Sequence, residues 1–588
     1  MRRTFLGGVI FFTISLATSL WADQIDLSFP VSPRFPVFAA ESSVDISFHV
    51  ERENPAAPDE IDWSILDYLG KTMRSGAIPL AAGSPNKIDV PLTFSDLPSG
   101  YWEIHAALKQ SGAALPRHGS QPPGLASFGI LPSIPFPQLA QADEARFGIQ
   151  GTTFLKTGVY LQGDSYNPLY QTLGVHWINE SVNWSEKEPD HPGQYSAKMA
   201  EASQGEDTFA KDGLMPLETA FSLPRWALAL PADVAPNPKD WTQATAYPPQ
   251  DPSQYTTYLE AVAKDKAARR LRDFPGIDQA FYQVGWEPDW HWRGTDDEFL
   301  SLYAAAYAGI HAGDPHAVVL GPGYGVLAKG ESLLETLLPK GLGKSLDGIA
   351  IHGYYLPFGN PNSPTTEGRL ISPEDAGVID SLRKVRALMR QYLAPDAKLF
   401  QTEWGLDYRG PYVGFDPALL KTHAAYIIRG HLIFLGEGCN VTYFFYASDY
   451  GSLTKHGEDG YGLCFNLTLP DPSYGAIQAA PKPVFMAACT LTRLLDGTTT
   501  LGPVSVGNAA VCAYAFQGKT GNIVALWSRD NAARTISLPV GVPEVTVVDF
   551  MGNVRKLSCP QNTASIDLNA YPIYLQGVAP DALSPLKY

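Results

Sequence analysis

The stretch FYQVGWEPDWHW, residues 281 to 292, is apolar and aromatic through its first half, turns sharply at Glu287-Pro288, and carries a carboxylate where a buried strand should be ending. Aromatic and β-branched residues exclude water, so a lone carboxylate among them is costly unless it is protonated, paired or used chemically. A raised pKa would suit Glu287 to proton donation. The plainer alternative makes Glu287 the start of an ordinary loop, with Pro288 as turn punctuation and the tryptophans as core filler.

The sequence on either side favours the first reading. From Arg146 onward, short apolar runs alternate with longer helical stretches, the pattern of a parallel sheet with crossover helices. The runs Arg146 to Gly151, Gly174 to Asn179, Leu214 to Ala220, Ala280 to Glu287, Val318 to Gly321, Leu346 to His352, Lys398 to Glu403 and Val441 to Tyr446 predict eight strands. Helices are predicted over Ser253 to Phe274, Asp296 to His311 and Pro373 to Tyr392. Eight such repeats predict a (β/α)8 TIM barrel. A doubly wound open sheet is disfavoured, because no GxGxxG follows the first run. Short alternating runs before and after it, such as Val44 to Val50, Tyr101 to Leu108 and Asn522 to Trp527, predict a multidomain chain with an N-terminal and a C-terminal β-sandwich flanking the barrel. The expected divisions are a leader at 1–22, a sandwich at 23–140, the barrel at 141–495 and a second sandwich at 496–588.

Composition narrows the function. A net charge of −17 over 588 residues argues against nucleic acid as a partner, since phosphate binding needs a cationic footprint. Met1-Arg2-Arg3, an apolar run to Leu20 and the exit Trp21-Ala22-Asp23 have the form of a secretory signal peptide, which predicts a secreted or periplasmic protein with no stable membrane insertion. Cys439, Cys464, Cys489, Cys512 and Cys559 form no CxxC pair, so neither a disulfide framework nor a metal site is expected. The Asp- and Gly-rich segment 449–460 lacks the spacing of a calcium loop. Of the glycosylation sequons, Asn179, Asn183 and Asn440 adjoin predicted barrel strands and are poor acceptors.

In such a barrel, functional side chains gather at the C-terminal ends of the strands. Strand four then delivers Glu287, and strand seven, in the sequence QTEWG at 401 to 405, delivers Glu403 to the same cleft. Two carboxylates flanking a sugar are what glycosidic cleavage requires: one protonates the leaving oxygen and the other attacks the anomeric carbon. No GxSxG elbow and no metal-ligand cluster competes, and no cofactor is expected. His352 ends strand six as a hydrogen-bonding neighbour of the cleft, and Tyr354 or Tyr355 is placed to orient the strand-seven carboxylate. Trp184, Trp226, Trp290, Trp292 and Trp404 are candidate sugar-stacking platforms. Tyr446, at the end of strand eight, joins the substrate-binding candidates.

The pair VGWEPD at 284 to 289 and QTEWG at 401 to 405 resembles the acid/base and nucleophile strands of clan A glycoside hydrolases, with an arrangement closest to family 39. Asn183-Trp184-Ser185 through Tyr195, Asp347 to Tyr355, and Pro481-Lys482-Pro483 resemble further parts of such enzymes in the same order. The resemblance spans about Arg146 to Leu495. It implies retaining double displacement on a β-linked carbohydrate, with Glu287 as acid/base and Glu403 as nucleophile. One residue departs from the pattern: where most of these enzymes carry an Asn that grips the sugar 2-hydroxyl, this chain has Trp286. An indole offers a single N–H donor and no acceptor. The substitution raises the alternative of a catalytically weakened carbohydrate-binding or polysaccharide-assembly protein on the same barrel.

Overall fold

The computed structural model describes residues 22–30, 35–139, 142–150, 167–196, 210–237, 241–355, 365–366, 369–407, 417–449, 460–467 and 479–583. The leader-like segment 1–21, Gly151 and most of the 449–460 segment lie outside the described residues.

The centre is a closed barrel of eight parallel strands: Phe147–Gln150, Trp177–Ser181, Met215–Ala220, Phe281–Val284, Val318–Val326, Gly348–Tyr354, Lys398–Trp404 and Val441–Phe445. Strand eight pairs back onto strand one, Thr442 opposite Phe147, which closes the ring. The eight predicted runs overlap the eight strands, because their residues are mostly buried on both sides and read as largely apolar segments. The barrel's interior is a packed core: Trp177, Phe281 and Phe400, from strands two, four and seven, meet ring to ring. Outside, the helices Pro252–Asp273 and Asp296–Gly313 pack on each other. The second opens on a capping box, Thr295 with Glu298.

Strand four ends three residues earlier than the sequence pattern predicts. Gly285 takes φ +84, and a Cβ there would stand 2.3 Å from the Tyr303 hydroxyl, so only glycine fits the turn. Glu287 itself is left-handed at φ 49, ψ 46, and heads the short helix Pro288–His291. The helix predicted from Pro373 starts at Val378, after a left-handed Gly377.

Before the barrel, a three-stranded sheet faces a five-stranded one across a core that includes Phe48, Ile104 and Phe128. After it, a six-stranded sheet and the pair Arg534–Pro539 and Thr563–Leu568 enclose a second small core that includes Val524 and Ile566. The helix Pro483–Leu495 leads from the barrel into this unit and is buried along its whole length. All five cysteines are free thiols. No helix among the described residues is long and apolar enough to cross a membrane.

Candidate active site

Glu287 and Glu403 meet at the C-terminal end of the barrel, 5% and 4% exposed, on either side of one imidazole. His352 Nδ1 lies 2.8 Å from Glu287 Oε1 and 3.9 Å from Glu403 Oε2. A carboxylate oxygen of each glutamate and the His352 nitrogen all fall within 4.8 Å of one another. Burial disfavours charge on His352, but the carboxylates of Glu403 and Glu287 outweigh it and hold the imidazole pKa above its ordinary 6.5. In its protonated form the ring donates Nδ1–H to Glu287.

Each carboxylate has further donors. The Trp290 indole N–H reaches Glu287 Oε2 at 2.9 Å. Tyr354 donates its hydroxyl to Glu403 Oε1 at 3.0 Å, and the Gln150 amide lies 3.4 Å from Oε2. Burial, then the nearby Glu403 charge, push the Tyr354 hydroxyl well above its usual pKa, so it stays a donor. Gln150 in turn accepts from the Asn179 amide. These two amides, ending strand one and lying in strand two, were not read from the sequence as site residues, Asn179 standing there only as a sequon; their one signal is a polar side chain in a largely apolar run.

The backbone around Glu287 is fastened tightly. Its N–H donates to Gly323 O at 2.7 Å, and Asp289 accepts from the backbone N–H groups of Gly325 and Val326 at 2.8 and 3.0 Å. A Cβ on Gly325 would come within 2.8 Å of Glu287 Oε1, so glycine leaves room for the carboxylate. A non-glycine residue in the left-handed region costs of the order of 1–2 kcal/mol, and these contacts maintain it.

Glu403 reaches the cleft through an irregularity. Phe400 points into the barrel and Trp404 points out, although a regular strand would put residues four apart on the same face. The register with strand eight slips between Gln401 and Trp404, which turns Glu403 inward.

The tryptophan candidates divide. Trp286 stands over the site, its ring 4.5 Å from His352 and 5.0 Å from Phe221, within the range at which an imidazolium is attracted to an indole. Its N–H has no acceptor among the described residues. Trp290 is 41% exposed and stacks on His291. Trp184 is not available for stacking on a sugar: it is buried between Tyr255, Tyr258 and Trp226, its N–H held by Glu188. Trp404 packs into the helix Pro417–Gly436, against His431 and Phe434, and is likewise core. Trp226 is half-buried with its N–H on Glu188 O, and Trp292 meets Phe299 edge-on. Tyr446 lies buried against Phe445. Tyr355 turns away to Ile371 O, leaving Tyr354 as the tyrosine on Glu403.

Among solved structures, a family 39 glycoside hydrolase from Bacteroides cellulosilyticus WH2 superposes with a TM-score of 0.63 at 16% identity, covering 94% of this chain and 99% of that one. The two share a fold. That coverage takes in the barrel and both flanking β-sandwiches. An endoxylanase of family 30 from Clostridium papyrosolvens C71 overlaps 73% of the chain and 95% of its own, with a TM-score of 0.48 at 14% identity. A β-xylosidase from Caldicellulosiruptor saccharolyticus is 27% identical over 248 residues, 40% of this chain and 47% of the xylosidase, so the match spans about half of that enzyme's length. No family model matches the chain.

Proposed function

We propose that the protein is an exported retaining β-glycoside hydrolase acting on a β-linked oligo- or polysaccharide. The observation that carries this is the carboxylate pair: an oxygen of Glu287 and one of Glu403 within 4.8 Å at the ends of strands four and seven. Retaining enzymes keep their carboxyl groups about 5–5.5 Å apart, whereas inverting ones need about 6.5–9.5 Å to admit a water. Glu403 is the nucleophile. Tyr354 holds Oε1, and Oε2, 3.4 Å from the Gln150 amide and 3.9 Å from His352 Nδ1, attacks the anomeric carbon. Glu287 gives its proton to the leaving oxygen as the glycosyl bond to Glu403 forms, then takes one from the water that hydrolyses it. His352, one hydrogen bond from Glu287 Oε1, supplies and recovers that proton. Trp286 offers its N–H to a sugar hydroxyl where an amide would offer a donor and an acceptor. The family 39 fold likeness and the partial match to a β-xylosidase support the reaction class and make aryl β-xylosides the first substrates to try. The charged start and apolar run of residues 1–22 support export.

The test is a pair of variants on a panel of aryl β-glycosides and β-linked polysaccharides. Glu403→Ala abolishes turnover of every substrate. Glu287→Ala loses about 10²–10⁴-fold on substrates with poor leaving groups and much less on activated aryl glycosides. Unchanged turnover in Glu403→Ala refutes the assignment.

Trp286 favours a second reading, a carbohydrate-binding protein with weakened catalysis. Wild type that binds but does not turn over, with Trp286→Asn gaining turnover, would establish it.

A further inference from the structure

At the opposite end of the barrel, where the strands begin, lies a cavity of about 560 Å³ bounded by residues 143–146 just before strand one, by strands four, seven and eight, by one face of the helix Val378–Tyr392 and by the strand Thr499–Pro503. Five cationic side chains line it against three carboxylates, in a chain whose net charge is −17. Two of the five are committed to the fold. Arg146 directs its guanidinium to Asn440 O, Cys439 O, Thr498 and Thr500, and Arg383 forms a two-pronged bond with Glu437 at 2.9 and 3.0 Å. The other three have no carboxylate partner among the described residues. Arg386 makes one hydrogen bond, to Gly438 O; Arg390, on the same helix face, and Lys398, at the mouth of strand seven, make none. Phe281 and Phe400, buried and stacked on each other 5.3 Å apart, close its inner end.

We propose that this cavity is a second saccharide site, selective for a carboxylate-bearing sugar such as a short uronate oligomer. Its volume falls in the range of pockets that enclose small organic ligands and is far larger than one inorganic anion requires. Unneutralised cations on one wall pair with carboxylates, and Gln279 and Thr499, which also line the cavity, offer an amide and a hydroxyl to sugar hydroxyl groups. In an acidic protein, a local excess of positive charge draws anions to this opening. The cavity is distinct from the Glu287 and Glu403 cleft, so its occupancy does not rest on the glycosidase reading.

The experiment is calorimetric titration of the full chain with digalacturonate, with a neutral disaccharide and with inorganic phosphate, repeated on Arg390→Ala/Lys398→Ala and on Glu403→Gln. The two truncated side chains make no hydrogen bond, so the double variant keeps the wild-type near-ultraviolet dichroism. The expected result is digalacturonate binding that weakens with salt, falls about tenfold or more in the double variant, and is unchanged in Glu403→Gln; the neutral disaccharide does not compete. Absence of digalacturonate binding overturns the proposal, as does equal binding by the double variant. Loss of binding in Glu403→Gln places the ligand in the cleft and also overturns it. Phosphate binding as tightly as digalacturonate reduces the cavity to an anion site and refutes selectivity for a sugar.

Discussion

At the scale of single residues, His352 couples the two carboxylates, and its charge state is a stability term as well as a chemical one. Its folded pKa lies above 6.5 because Glu403 and Glu287 outweigh burial. A raised folded value means that the stabilisation is complete below pH 6.5 and is lost as pH rises through the folded pKa. The unfolding free energy of wild type should therefore exceed that of His352→Gln most at acidic pH, and the gap should narrow on the alkaline side; denaturant titrations across pH measure it. Tyr354→Phe removes one hydrogen bond to a charged oxygen, of about 1.5–3 kcal/mol. If that bond orients the nucleophile, kcat falls about 10–100-fold while KM moves little, and steady-state kinetics decides. The meeting of Glu287 and Glu403 was legible in the sequence because each stands at the end of a predicted barrel strand. Gln150 and Asn179 were not, since a single neutral amide in a strand is common. The facing of Trp404 was also hidden, because a one-residue register slip decides it.

At the scale of elements, the turn after strand four carries the greatest conformational demand. Gly285 and Glu287 are both left-handed, with Gly323 O and the Asp289 clamp holding them. Gly285→Ala adds an unfavourable φ to a clash with Tyr303 and should cost about 2 kcal/mol or more, seen as a lower denaturation midpoint. The barrel strands were readable because burial on both faces leaves short, largely apolar runs. The sandwich strands were harder. Asp59–Asp67, sequence DEIDWSILD, has charges on its exposed positions, and Thr72–Leu80 is mostly exposed, so neither has an apolar run to announce it. Their partners in the sheet supply the order that their own composition does not.

At the scale of the whole molecule, the C-terminal sandwich is keyed to the barrel by buried polar contacts. Arg429, on the helix Pro417–Gly436, forms a two-pronged ion pair with Glu374 and also reaches Asn531 and Arg529 O, while the Trp527 N–H donates to the same Glu374. Both charged groups are fully buried. Arg429→Met leaves Glu374 uncompensated and should cost about 3–5 kcal/mol, read as a lower calorimetric midpoint. Sequence reading placed a barrel between two β-sandwiches, but this lock joins residues about 55 and 100 positions apart and carries no local signal. The central claim concerns the carboxylates, and a mechanism-based trap tests it most directly. After reaction with a 2-deoxy-2-fluoro β-glycoside of a sugar the enzyme turns over, peptide mapping should find one glycosyl group, on Glu403; turnover with no trapped adduct, or an adduct on another residue, would contradict the account.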